Sequence, residues 1–225
     1  TLIPVIFLSK LLFEAPIVCH CRSIQANGVG RLREWFISNI INKYVTFIVA
    51  IDNDCARSLT LKIPIHVIHN GLNLPSSLST SGKRFNGKFV VGYVGNLLPS
   101  KGIYELIECA NIYKKLCVDE VLFLIVGPNF ELETTFLDSL FDLLGFRDLS
   151  GKKILNLISK YELENVLNIG FQNDIGSVFQ DMDVLCFPSH LNAVGRPVFE
   201  AGYFGVPSVV AVVNPTADTF VPNVT

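Results

Sequence analysis

From Phe89 onward, short apolar runs of buried-strand type alternate with helical stretches. That alternation restricts the second part of the chain to a parallel, doubly wound α/β fold with right-handed crossovers. Phe89 to Val94 and Val121 to Val126 are continuous apolar runs, the pattern of strands covered on both faces. Between them, Gly102 to Leu116 carries Ile103, Leu106, Ile107 and Ala110 at helical spacing. Further helices are expected at Glu131 to Leu144, Lys152 to Tyr161, Ile175 to Met182 and Val198 to Phe204. Further strands are expected at Val166 to Gly170, Val184 to Phe187 and Val206 to Val213. In such sheets ligands bind at the carboxyl ends of strands, so the strand-to-helix turns are where chemistry is expected.

Ahead of this pattern lie a strand-like run at Ala15 to Cys21, an amphipathic stretch at Arg31 to Val45, and short strands at Thr46 to Ala50 and Ile65 to His69. Asn70-Gly71 then marks a sharp turn. The Ser-, Gly- and Pro-rich stretch from Leu72 to Lys88 reads as a linker. The chain therefore divides into a first domain at 1–73, a linker at 74–87 and a second domain at 88–225.

Half of the 225 residues are hydrophobic and 17% are charged, which suits a folded core and excludes disorder. A net charge of −2 leaves no electrostatic footprint for nucleic acid. The apolar run from Phe36 to Ile51 is broken by Asn39, Asn42 and Lys43 below spanning length. Lys10 and Glu14 interrupt the opening apolar run, against a signal peptide. The only methionine is Met182, and the chain reads as a piece of a longer protein. Six cysteines occur without a CxxC pair. On a strand Cys19 and Cys21 face one way and His20 the other, which argues against a shared metal and for reduced core thiols.

Two turns suit anion chemistry. In the first, Gly95-Asn96-Leu97-Leu98-Pro99-Ser100-Lys101-Gly102, a glycine after a buried strand allows close backbone approach. Lys101 there supplies a compact positive charge just before a helix, where free N–H groups already favour anions; a solvated loop lysine is the other reading. The spacing is neither a Walker A nor a GxGxxG. In the second turn, Gly195 and Arg196 stand at a helix mouth, with Pro197 at a position where its missing N–H costs nothing. Glu200 is expected in the first turn of that helix on an apolar face, where a carboxylate needs partners. Sugar or ribose hydroxyls can donate to it; interaction with the helix dipole is the other reading.

The segment from Asn192 to Pro207 resembles the signature of glycosyltransferase family 4, two glutamates with seven residues between them followed by A-x-x-x-G-x-P. Glu200 matches the second glutamate and Asn192 stands in place of the first; Gly195, Ala201, Gly205 and Pro207 also fit. The turn from Gly95 to Gly102 is similar to the family's G-R-x-x-x-x-K-G, with Asn96 replacing the arginine. Asp183 with Phe187-Pro188-Ser189, Ile68-His69-Asn70-Gly71, and Pro16 to His20 resemble further family segments in the same order. The resemblance implies a GT-B fold of two Rossmann-like domains, the first incomplete. It also implies transfer of a sugar from a nucleoside-diphosphate sugar to a glycan or lipid-linked acceptor, with retention and without a metal or other cofactor.

On this resemblance Lys101 holds the donor diphosphate with help from N–H groups near Gly195 and Arg196, and Glu200 binds ribose hydroxyls. Gly95 and Asn96 line the donor, position 192 contacts the transferred sugar, and His20 serves the acceptor side or the sugar. Arg196 is expected to compensate for the arginine missing at Asn96. A cytoplasmic location, with peripheral attachment to the inner face of a membrane allowed, goes with the same reading. Two alternatives stay open: a nucleotide-sugar epimerase of GT-B architecture, and a binding module without turnover.

Overall fold

The computed structural model describes residues 2–13, 15–24, 31–72, 84–85, 87–128, 150–191 and 193–223. It divides into two compact units, Thr1–Leu72 with Asn214–Thr225, and Asn73–Val213.

The first unit contains α1 (Leu2–Leu12), β1 (Val18–Cys21), α2 (Arg31–Tyr44), β2 (Phe47–Ala50), α3 (Asn53–Arg57) and β3 (Ile65–Val67). The strands pair in parallel in the order β1-β2-β3, with Val18 opposite Phe47 and Ile48 opposite Ile65. Ile6, Ile40, Val45 and Ile48 form its core. Two helices add to the sequence expectation. The opening apolar run is α1, and five residues after β2 coil into α3. Asp52 caps α3, its Oδ1 accepting from the Cys55 N–H at 2.6 Å, so a short polar stretch is helical through its cap.

Residues 214–225 group with this first unit, whereas the sequence boundary put them in the second domain. Hydrogen bonds explain the difference. The Asp54 carboxylate accepts from the Thr216 N–H at 3.1 Å and from Thr219 Oγ1 at 3.0 Å. Asp218 Oδ2 accepts from the Asn53 N–H at 3.0 Å. These contacts join groups far apart in sequence, and no local pattern announces them. Asp54→Ala is expected to release the segment around Thr216. Amide exchange there should rise by at least about tenfold, because several bonds to one carboxylate are lost together. Unchanged protection of Thr216 and Thr219 would show that something else holds the segment.

The second unit contains β4 (Phe89–Val94), a 3-10 turn (Pro99–Lys101), α4 (Ile103–Lys115), β5 (Val121–Val126) and α5 (Ser150–Lys160). It continues with β6 (Val166–Asn168), α6 (Ile175–Gln180), β7 (Val184–Phe187), α7 (Arg196–Tyr203) and β8 (Ser208–Val210). All described pairings are parallel, in the order β6-β5-β4-β7-β8. The α4 residues predicted to face inward, Ile103, Leu106, Ile107 and Ala110, are buried against Phe123 and Ile125 of β5 and Ile154 of α5. Each large aliphatic side chain so buried contributes about 1.5–3 kcal/mol.

Differences from the sequence reading lie at edges. β6 stops at Asn168, whose side-chain oxygen accepts from the Gly170 N–H at 2.8 Å and turns the chain. α7 begins at Arg196, two residues before the expected start. The helix expected at Glu131 to Leu144 lies outside the described residues. Within the expected linker, Arg84 binds the buried Asp181 through its N–H at 2.8 Å and its guanidinium. That part of the linker is therefore anchored in the second unit. No described helix is long and apolar enough to cross a membrane.

Candidate functional site

The winding of the second sheet decides where a ligand can sit. From β4 the chain runs to β5 and β6 on one side, then returns to β7 and β8 on the other. The crevice outside the carboxyl ends of β4 and β7 is therefore the topological switch point. The loops that leave these two strands are Gly95 to Gly102 and Pro188 to Gly195, the turns singled out in the sequence.

The two loops are locked together. The Ser100 carbonyl accepts from the His190 N–H at 3.0 Å and from Ser189 Oγ at 3.4 Å. His190 Nε2 lies 2.8 Å from Glu105 Oε1 at the start of α4. Gly102, at φ 75°, packs so closely on the second loop that an added Cβ would lie 1.9 Å from the Pro188 carbonyl oxygen. A left-handed residue and a backbone contact thus coincide at one position, and both demand glycine.

Lys101 ends the 3-10 turn and is half-buried. Among the described residues its ammonium has no hydrogen-bond or ion-pair partner. A positive group held beside a helix start without a counter-ion is suited to a bound anion. Gly95 follows β4 at φ 153°, where its N–H donates to the Val126 carbonyl at 3.0 Å. Asn96 is exposed, and its carbonyl accepts from the Tyr93 hydroxyl at 2.7 Å. Burial, and then the neighbouring Cys186, push the Tyr93 hydroxyl pKa well up, so it stays a neutral donor that shapes the turn.

In the second loop Gly195 is the N-cap of α7; a Cβ on it would strike the Phe187 ring at 2.5 Å. Arg196 is the first helical residue and Pro197 the second. Glu200 therefore lies in the second turn of α7, a correction to its expected place in the first. Its side chain is 9% exposed, and its Oε1 accepts from Arg196 Nε at 2.7 Å, one turn back. The partner that a buried carboxylate requires comes from its own helix, and that pairing also explains the arginine at the mouth. Removing it is expected to destabilise the chain: Arg196→Ala should cost about 1–2 kcal/mol, since the exposed pair contributes little but an orphaned carboxylate costs more. A urea midpoint unchanged from the parent would mean that water solvates Glu200 instead.

Asn192 lies outside the described residues. His20 is exposed near the end of β1 in the first unit. The structure thus brings Gly95, Asn96, Lys101, Gly195, Arg196 and Glu200 to one end of one sheet, while His20 belongs to the other unit. Sequence reasoning did not find Glu105 or Ser100. The only signal was an acidic residue one turn after Lys101, and its meaning depends on His190. A loop histidine such as His190 gives no signal of its own, and its contact with Glu105 gives it a structural partner.

A parallel Rossmann-like sheet wound both ways from β4, with two interlocked turns at its switch point, defines a doubly wound α/β domain. The family model described as glycosyl transferases group 1 matches residues 78–225, and the chain belongs to that family. It is 29% identical over 139 residues to the capsular polysaccharide biosynthesis glycosyltransferase CapM of Staphylococcus aureus, a match covering 62% of this chain and 32% of that protein. Among solved structures it is similar to Anabaena Alr3699/HepE in complex with UDP and glucose. That likeness has a TM-score of 0.70 at 22% identity, over 92% of this chain and 56% of the other. It is also similar to TarM, at a TM-score of 0.68 and 18% identity, over 98% of this chain and 42% of that one. The chain spans between about a third and somewhat over half of the length of these proteins. The GT-B type α/β fold expected from the sequence stands.

Proposed function

We propose that this chain carries the donor-binding half of a retaining family 4 glycosyltransferase that takes its sugar from a nucleoside-diphosphate sugar. The observation that carries the reading is the interlock of the Lys101 turn with the loop leading to Glu200 at the sheet's switch point. One diphosphate placed there meets the Lys101 ammonium and the mouth of α7. Lys101 stabilises the charge that grows on the leaving diphosphate. Glu200 accepts from ribose hydroxyls, exchanging its bond to Arg196 for bonds to the ligand. Asn192 contacts the transferred sugar, and His20 serves the acceptor side.

A UDP-sugar is the first donor to test, because HepE is solved with UDP, with UDP and glucose, and with UDP-glucose. The kinship with CapM, a capsular polysaccharide biosynthesis glycosyltransferase, supports a role in polysaccharide synthesis; the proposal adds a glycan or lipid-linked acceptor and a place at the cytoplasmic side of a membrane. The reaction needs no metal or other cofactor on this reading. A thermal-shift panel of UDP-, GDP- and ADP-sugars is the test. One nucleotide series should raise the melting temperature of the chain, and Lys101→Ala should remove the response. A panel without any response, on a folded chain, would end the proposal.

The Arg196–Glu200 pair favours a second reading, a module that binds nucleotide sugar without turnover, since the carboxylate is already occupied. Slow donor hydrolysis that disappears in Glu200→Gln would count against it. Release of an altered nucleotide sugar without acceptor would instead point to an epimerase.

A further inference from the structure

Away from the donor loops, two thiols meet at the carboxyl end of the first unit's sheet. Cys21 ends β1, Cys55 lies in α3 just after β2, and their Sγ atoms are 3.2 Å apart. Cys55 is 1% exposed, while Cys21 is half-buried. Backbone contacts hold the pair in place. Cys55 Sγ lies 3.4 Å from the Cys21 carbonyl, both thiols lie 3.4 Å from the Ser23 carbonyl, and the Ile51 N–H donates to the Cys21 carbonyl at 3.2 Å. Bonded sulfurs stand about 2.05 Å apart, so closure needs an approach of roughly 1 Å. Cys19 shares the face of β1 with Cys21, but no contact with Cys55 is found for it among the described residues.

We propose that Cys21 and Cys55 are a redox-active dithiol that closes to a disulfide on reaction with a small-molecule disulfide such as oxidised glutathione. Cys21, the more accessible sulfur, attacks one sulfur of the reagent and expels one glutathione thiolate, leaving a mixed disulfide. Cys55 Sγ then attacks the Cys21 sulfur and expels the second thiolate. Two protein thiols are oxidised, one small disulfide is reduced to two thiols, and two protons leave. Burial, with the hydrogen bond and charge of Cys21, pushes the Cys55 thiol up to about 12. Cys55 therefore keeps its proton in the reduced pair, which sets the order of the steps. The new bond fixes the end of the strand that carries His20.

The test uses the Cys117→Ser variant, since Cys117 is an exposed thiol that would take a glutathione of its own. The protein is equilibrated with mixtures of oxidised and reduced glutathione, alkylated, and examined by intact mass and peptide mapping. The expected product lacks two hydrogen masses, carries no glutathione, yields a Cys21–Cys55 linked peptide and reverts with dithiothreitol. Its melting temperature should exceed that of the reduced form, because the cross-link closes a long loop in the unfolded chain. Adding Cys19→Ser should leave the linkage unchanged. A glutathione adduct that persists on Cys21, or a linkage through Cys19, would overturn the assignment.

Discussion

Gly102→Ala is expected to lower the melting temperature of the chain by roughly 10 °C and to abolish its response to nucleotides. Two costs fall on the same atom. A left-handed backbone costs an L-residue about 1–2 kcal/mol, and Gly102 sits at φ 75°. The added Cβ would also lie 1.9 Å from the Pro188 carbonyl oxygen, a backbone atom that cannot rotate away. The loops must part, at a total of about 3 kcal/mol or more, among the larger single-residue effects. In a unit of this size each kcal/mol is worth about 2–4 °C. Parting the loops also separates Ser100 from His190, so binding should fall even where the fold survives. Thermal denaturation with and without nucleotide reads both effects. A variant melting within about 2 °C of the parent would mean that the loops are looser than their contacts imply.

Lys101→Ala is expected to weaken nucleoside-diphosphate binding by about 10–100-fold without unfolding the chain. The ammonium has no protein partner among the described residues, so its removal costs the fold little. A hydrogen bond to a charged group contributes about 1.5–3 kcal/mol, which is that range in Kd. Nucleoside binding, which lacks the phosphates, should change far less. Lys101→Arg should recover part of the loss, since the charge returns but the compact geometry does not. Isothermal titration of nucleoside, monophosphate and diphosphate against each variant makes the comparison. Equal losses for nucleoside and diphosphate would remove Lys101 from the phosphate site.

Which residues belong to the candidate site was legible to unequal degrees. Gly95 and Lys101 stood out because a glycine directly after a buried strand allows close backbone approach and a lysine just before a helix start suits an anion. Glu200 stood out because a carboxylate among Val198, Phe199 and Ala201 must be satisfied by something. What satisfies it was not legible: Arg196 was expected at the donor mouth in compensation for the arginine missing at Asn96, and only the helix phase shows that its Nε reaches Glu200 one turn on. His190 and Glu105 carry no sequence signal of their partnership, because a loop and a helix start meet only after the sheet has formed.

The domain boundary shows the same division. A composition shift suggested a linker, of which Arg84 proves anchored on Asp181 of the second unit, and the destination of residues 214–225 rests on Asp54 accepting from Thr216 and Thr219. Hydrophobic period and turn chemistry are local, so the sequence alone determined the strands and helices of the second sheet from β4 to β8 that the structure describes, their parallel winding and the two turns worth watching, but not α1 or α3. The order β6-β5-β4-β7-β8, the locking of Ser100 and Gly102 onto the loop at Pro188, and the meeting of Cys21 with Cys55 depend on long-range packing. Only the tertiary structure decided those, because each is a contact between segments whose local patterns are satisfied without it.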